Sequence, residues 1–118
     1  MAEVDLRCVH EEAMSILDRA AFSGDEISKR ELTEQAFAIE KGAALELLDR
    51  HDLGEARSFL FKSAICIAMR LERYAEALEL YNQVIEGNPP QSWLATLEEL
   101  HVKIQEHLGN STQGGDNN

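Results

Sequence analysis

Apolar residues recur every three or four positions along most of the chain, with polar residues between them. The first such segment covers residues 4–21. A second begins near Ser28, where Ser28 and Glu31 have the spacing of a capping box. Because this period places side chains on one face of an α-helix, the pattern predicts helices joined by short polar connectors.

The third segment, residues 53–71, differs because it is apolar nearly all round. A helix of that kind lies at the centre of a bundle or leaves part of its apolar surface for a binding partner. The fourth, residues 74–86, has one apolar side. Gly87 and Asn88 are predicted to cap it in the left-handed conformation, and Pro89 prevents its continuation.

A fifth apolar-sided segment covers residues 91–108. Five such segments, with only 2 Pro and 7 Gly in the chain, predict an all-α fold and nearly exclude a β-sandwich or barrel. We expect one domain over residues 1–108. Residues 109–118 are polar, rich in Gly and Asn and without periodicity, so they are predicted to form a disordered tail.

Residues 59–90 place small and aromatic residues at characteristic offsets, namely Phe61, Ala64, Tyr74, Ala77, Tyr81 and Pro89. This segment resembles one tetratricopeptide repeat, a helix-turn-helix unit of about 34 residues. Ile65 and Ala68 depart from the family pattern, and Glu72 stands where the family prefers Gly. The resemblance implies a right-handed stack of about five antiparallel helices, with the two tyrosines between the helices of the unit.

The resemblance also implies that the third helix lines a concave groove. The residues that would face this groove are Phe59, Lys62, Cys66, Met69 and Arg70, and Arg57 and Arg73 would extend the set at its two ends. Spacings of three and four independently place the five on one stripe. Because the stripe mixes apolar and cationic side chains, it predicts recognition of a segment that carries a carboxylate.

The same residues have a competing structural interpretation. Phe59, Cys66 and Met69 would then pack beneath the N-terminal helices. Lys62 and Arg70 would extend to the surface and pair with nearby acids such as Glu55 or Glu72.

The chain is strongly acidic, with 22 Asp and Glu against 11 Lys and Arg and a net charge of −11. Such an excess repels phosphate backbones and anionic lipids, so nucleic acid and membranes are not expected partners. Two cysteines do not make a disulfide framework, and the N-terminal sequence lacks the pattern of a signal peptide. We therefore predict a cytoplasmic location.

The sequence carries no recognisable catalytic motif. Met14 stands where a zinc-protease helix that begins at His10 would need its second histidine. A carboxylate-bridged metal site normally needs Glu-x-x-His twice, and Glu98 with His101 is the only instance. We expect neither catalysis nor a metal or other cofactor.

These features predict a non-catalytic interaction module, an adaptor or chaperone-like protein that binds a partner peptide or helix in the groove. The alternative is a structural protein that associates with itself as a homo-oligomer. Its contact face would be the third helix or a patch of Trp93, Leu94 and Leu97 on the last helix.

Overall fold

The computed structural model describes the backbone of residues 6–116 and the side chains of residues 6–109. Its α-helices are α1 (Leu6–Ala21), α2 (Glu26–Glu46), α3 (Gly54–Arg70), α4 (Tyr74–Glu86) and α5 (Gln91–Asp116). A short 3₁₀ turn at His51–Leu53 precedes α3. No strand occurs in this part of the chain, so the predicted all-α class is confirmed.

Helix α3 is the central element of the fold. Each helix packs on the next along the chain, and α3 also contacts α5, so that it touches α2, α4 and α5. The apolar side chains that α3 buries are Leu60, Phe61, Ala64, Ile65, Ile67 and Ala68. Burial on several sides explains why this segment is apolar nearly all round.

Ion pairs connect α4 and the residue before it directly to α2. The Arg73 Nη2 atom lies 3.0 Å from the Glu34 carboxylate, and the Lys41 ammonium lies 2.6 Å from the Glu76 carboxylate. Both cations also lie over the Phe37 ring, at 5.6 and 5.8 Å from its centroid. Partly exposed ion pairs are individually weak, so we ascribe to this network mainly the alignment of the two helices.

Aromatic rings connect α1, α3 and α5. The His10 ring meets the Phe59 ring edge to face with centroids 4.8 Å apart, and Trp93 meets Phe59 in the same way at 6.4 Å. We call these three residues the ring row. The ring row therefore connects the odd-numbered helices, and the ion pairs above connect α2 with the start of α4.

Helix α2 begins earlier than the sequence predicted. Its N-cap is Asp25, whose carboxylate accepts hydrogen bonds from the Ser28 backbone N–H at 3.1 Å and from the Ser28 hydroxyl at 2.8 Å. These bonds lower the pKa of the Asp25 carboxyl. The predicted cap at Ser28 is therefore wrong, because Ser28 is the donor to the cap residue.

Two non-glycine residues end helices in the left-handed conformation. Glu72 follows α3 with φ 61°, and the Arg73 N–H donates to the Ala68 carbonyl at 2.8 Å to complete a Schellman motif. Asn88 follows α4 with φ 54°. Gly87 has φ −87°, so its predicted left-handed conformation is wrong.

Helix α5 is longer than predicted. The sequence analysis ended it at residue 108, whereas its backbone continues through Gly109 to Asp116. That residues 109–118 form a disordered tail stays a prediction.

Candidate functional site

The five residues predicted to line a groove lie on one accessible side of α3, and we call them the α3 strip. Phe59 is 39% exposed, and Cys66 and Arg70 are exposed. Lys62 and Met69 are half-buried, and Met69 packs partly against the core. The opposite side of α3 is the one that fills the core, so the strip lies on the side of this helix that another molecule can reach.

The two cations of the α3 strip stand apart from the acids that the structure describes. Neither Lys62 nor Arg70 lies within 4.0 Å of a carboxylate among the described residues. Five other cations of the chain do pair with acids: Lys29, Arg30, Lys41, Arg50 and Arg73. Glu55, an expected partner, instead accepts hydrogen bonds from the Trp93 indole N–H at 2.9 Å and the Ser92 hydroxyl at 3.2 Å.

A small cavity adjoins the Phe59 end of the α3 strip. Its volume is about 230 Å³, and it lies between α1 and α3, lined by Leu6, Arg7, His10, Ala56, Phe59 and Leu60. Four of these side chains are apolar and two are basic or hydrogen-bonding. The cavity can accept an apolar side chain while a polar group of the same ligand contacts the basic edge.

A buried carboxylate holds the histidine of the ring row. The Glu40 side chain on α2 is fully buried, and one of its oxygens lies 2.6 Å from His10 Nδ1. The other oxygen, Oε1, has no hydrogen-bond partner. Because the carboxylate fixes one edge of the imidazole, the ring is held against Phe59 beside the cavity.

Glu40 was not among the residues predicted for this site. The signal was present, since the residues four before and three and four after it are alanines, Ala36, Ala43 and Ala44, and all three are buried. An acid at a position of that spacing belongs to the apolar face of its helix.

Arg57 does not extend the α3 strip, which corrects the prediction. It is only 2% exposed, and its guanidinium donates to the backbone carbonyls of Leu48, Gln83 and Val84. Burial lowers the pKa of this guanidinium, and the negative charge of Asp49 acts in the opposite direction. Arg57 is therefore a structural residue that connects α3 to the ends of α2 and α4.

Arg73 does not extend the strip either. Its guanidinium lies among Glu34, Glu76 and the Phe37 ring, where it joins α2 to α4. Both predicted flanking residues thus have partners within the chain, and the α3 strip is limited to its five central residues.

The two tyrosines contact α5 rather than filling only the space within the repeat-like unit. Tyr74 stacks on His107 and Tyr81 on His101, with centroids 4.2 and 4.3 Å apart and the rings nearly parallel. Burial, with a contribution from the charge of Glu98, raises the pKa of Tyr81. These stacks attach α5 to α4.

The three residues of the self-association patch predicted on the last helix, Trp93, Leu94 and Leu97, are not all at the surface. Leu97 is fully buried in the core, and Trp93 is half-buried and bonded to Glu55. Leu94 remains exposed, at 45%. One exposed leucine is ordinary on a protein surface and does not define an interface.

Among residues 6–109, no three His, Cys, Asp or Glu side chains converge as metal ligands would. No helix in the described part of the chain combines the length and apolarity of a membrane span. Comparisons with known protein families, with curated proteins and with solved structures give no match to this chain.

Proposed function

We propose that this protein is a non-catalytic interaction module that binds an acidic segment of a partner protein along the α3 strip. Apolar side chains of the partner would contact Phe59 and Met69 and enter the adjoining cavity, and its carboxylates would pair with Lys62 and Arg70. The module uses no cofactor in this proposal, and it acts in the cytoplasm.

The observation that carries the proposal is that Lys62 and Arg70, which have no acidic partner among residues 6–109, lie on one accessible face of α3 beside Phe59 and Met69. The chain has twice as many acids as bases, and five of its other cations pair with them. Two cations on one accessible helix face, beside apolar side chains and without an ion pair in the described part of the chain, offer charge-assisted hydrogen bonds to a carboxylate from outside.

The arrangement of the helices is the second support. In a tetratricopeptide-like stack the first helix of each pair contributes to the concave face. Here α1, α3 and α5 share the ring row, while α2 and α4 share the ion pairs of Arg73 and Lys41. We therefore propose the tetratricopeptide-like stack as the finer description of this fold, with the α3 strip on its concave face.

The test is reversal of the two charges. We expect Lys62→Glu with Arg70→Glu to reduce capture of the native partner by roughly 100-fold, because each reversed charge removes a charge-assisted bond and adds repulsion. Affinity capture from the native cell with quantitative mass spectrometry measures this, and circular dichroism should show unchanged helicity.

A matched control reverses Arg19 and Lys103, which are exposed, lie outside the strip and make no ion pair among the described residues. Both double variants change the net charge equally. The proposal fails if the two reduce capture equally, or if neither does. Light scattering examines the alternative, since a homo-oligomer predicts a mass that rises with protein concentration.

A further inference from the structure

A second groove lies between α1 and α2. We call it the edge groove, and its volume is about 370 Å³. Its lining residues are Leu6, Val9, Glu12, Ala38, Ile39, Gly42, Ala43 and Glu46. Gly42 and Glu40 lie two positions apart on α2, and therefore about 200° apart around the helix axis. Because Glu40 bonds to His10 in the core, the edge groove is on the other side of α2 from that pair.

Gly42 has no function inside this chain that the structure reveals. It lies within α2, where glycine is less favourable than alanine by about 1 kcal/mol. A Cβ at this position would meet no atom of residues 6–109 within 4 Å, so no element described there requires its absence. Ala38 lies one turn earlier on α2 and lines the same groove. It is also small and exposed. Such a surface lets the backbone of another helix approach closely.

The rim of the edge groove is acidic. Glu12 and Glu46 are exposed, and neither is within ion-pair distance of a cation in the described part of the chain. Residues 1–55 as a whole contain 14 acids and six bases. An occupant of this groove must therefore bring cations to the rim and apolar side chains to the floor.

We propose that the edge groove binds an amphipathic helix of a partner protein, with an apolar stripe on the floor and Lys or Arg residues facing Glu12 and Glu46. This site shares no residue with the α3 strip and has the opposite charge preference, although Leu6 lines both the edge groove and the cavity beside Phe59. One protein could thus join two partners, one acidic and one basic.

A second copy of this chain does not fit the same groove. In a two-fold dimer through this surface the acidic rim of one copy, with Glu12 and Glu46, would lie against the same acidic rim of the other, and like charges across an interface oppose binding. The exposed side of α5 carries three acids, Glu98, Glu99 and Glu106, and one cation, Lys103, around Val102. Stacking α5 of one copy on the edge groove of another would therefore place a surface of net negative charge against an acidic rim.

The test uses two synthetic helical peptides of about 18 residues, long enough to form a helix. Both carry leucine on one stripe, flanked by lysine in the first peptide and by glutamate in the second. We expect the labelled lysine peptide to bind in a fluorescence anisotropy titration and the glutamate peptide not to bind. Gly42→Leu should lower the affinity for the lysine peptide about tenfold, because the new side chain fills the floor of the groove.

Matched variants separate a specific site from general attraction to an acidic protein. Ala75→Leu places the same side chain at an exposed position of α4 and should leave the affinity for the lysine peptide unchanged. Glu12→Gln with Glu46→Gln should weaken binding, whereas Glu79→Gln with Glu106→Gln, equal in charge and exposed elsewhere, should not. Equal losses in the matched variants would overturn the proposal. Lys62→Gln with Arg70→Gln should leave peptide binding intact, which distinguishes this site from the α3 strip.

A stability measurement checks the interpretation of Gly42. We expect Gly42→Ala to raise the melting temperature by about 3 °C, because alanine favours the helix and meets no neighbour. The same variant should also lower the affinity for the lysine peptide. A lower melting temperature would mean that the fold itself needs glycine here, and the argument from Gly42 would be withdrawn.

Discussion

Replacing Arg57 by alanine is expected to lower the free energy of unfolding by about 4 kcal/mol, a large fraction of the 5–15 kcal/mol typical of a domain. The guanidinium is buried and donates three hydrogen bonds, to the carbonyls of Leu48 at 3.0 Å, Val84 at 3.0 Å and Gln83 at 2.9 Å. It also lies 5.3 Å from the centroid of the Phe61 ring.

These contacts explain the size of the effect. Gln83 and Val84 are in the last turn of α4, where free carbonyls and the helix dipole favour a cation. Leu48 follows α2. Removing the guanidinium would leave three acceptors without this donor at the point where α2, α3 and α4 meet, and would open a cavity beside Phe61.

Urea denaturation monitored by circular dichroism measures the change. The control is Arg70→Ala, which removes the same side chain from an exposed position of the same helix and should change stability by less than about 0.5 kcal/mol. A Cβ at Gly87 would overlap the Arg57 guanidinium. Gly87→Ala should therefore destabilise the native chain and have little effect when Arg57 is already alanine. Equal effects of the two arginine variants would contradict the structural role of Arg57.

The second large effect concerns His10 and Glu40. Replacing His10 by leucine is expected to cost about 3 kcal/mol, because it leaves the Glu40 carboxylate buried without its one hydrogen-bonding partner. Replacing both residues by leucine should restore stability to the native value or above it, since a partly satisfied buried pair is often no better than packed apolar side chains.

The double variant also separates stability from binding. The His10 ring lines the cavity next to Phe59, so its loss should weaken partner capture even when the fold is fully stable. Urea denaturation and affinity capture on the native chain, on His10→Leu and on the double variant give both quantities. If the double variant is as unstable as His10→Leu alone, the cost comes from lost packing of the ring, and the buried charge is not its cause.

The helices were predictable where one strong local signal acts alone. Helix α4 has the predicted bounds because its one-sided pattern ends at two prolines that no helix can continue through. Two residues near the start of α2, Asp25 and Ser28, are both suitable N-caps. Asp25 is the N-cap in the structure. At Glu72 the chain adopts a left-handed turn without glycine, because the Schellman hydrogen bonds hold it there.

The sequence predicts which residues share a face of α3, but it does not show where the candidate site ends. Spacings of three and four placed Phe59, Lys62 and Cys66 on one face, which is the accessible one. The same spacings place Arg57 with Leu60 and Phe61, both buried, so the position of Arg57 could have been read from the sequence. The carbonyls that receive its guanidinium come from distant segments, and no local pattern reveals them.

The claim on which this account depends is that the α3 strip is open to other molecules in solution. Cys66 lies within the strip and is exposed, so its thiol reports on that surface directly. In a Cys8→Ser variant we expect a thiol reagent to modify Cys66 in the folded protein at a rate that stays constant as urea is added below the unfolding transition. If the rate instead rises steeply with urea, so that modification requires unfolding, the strip is closed in solution and the proposed binding surface does not exist.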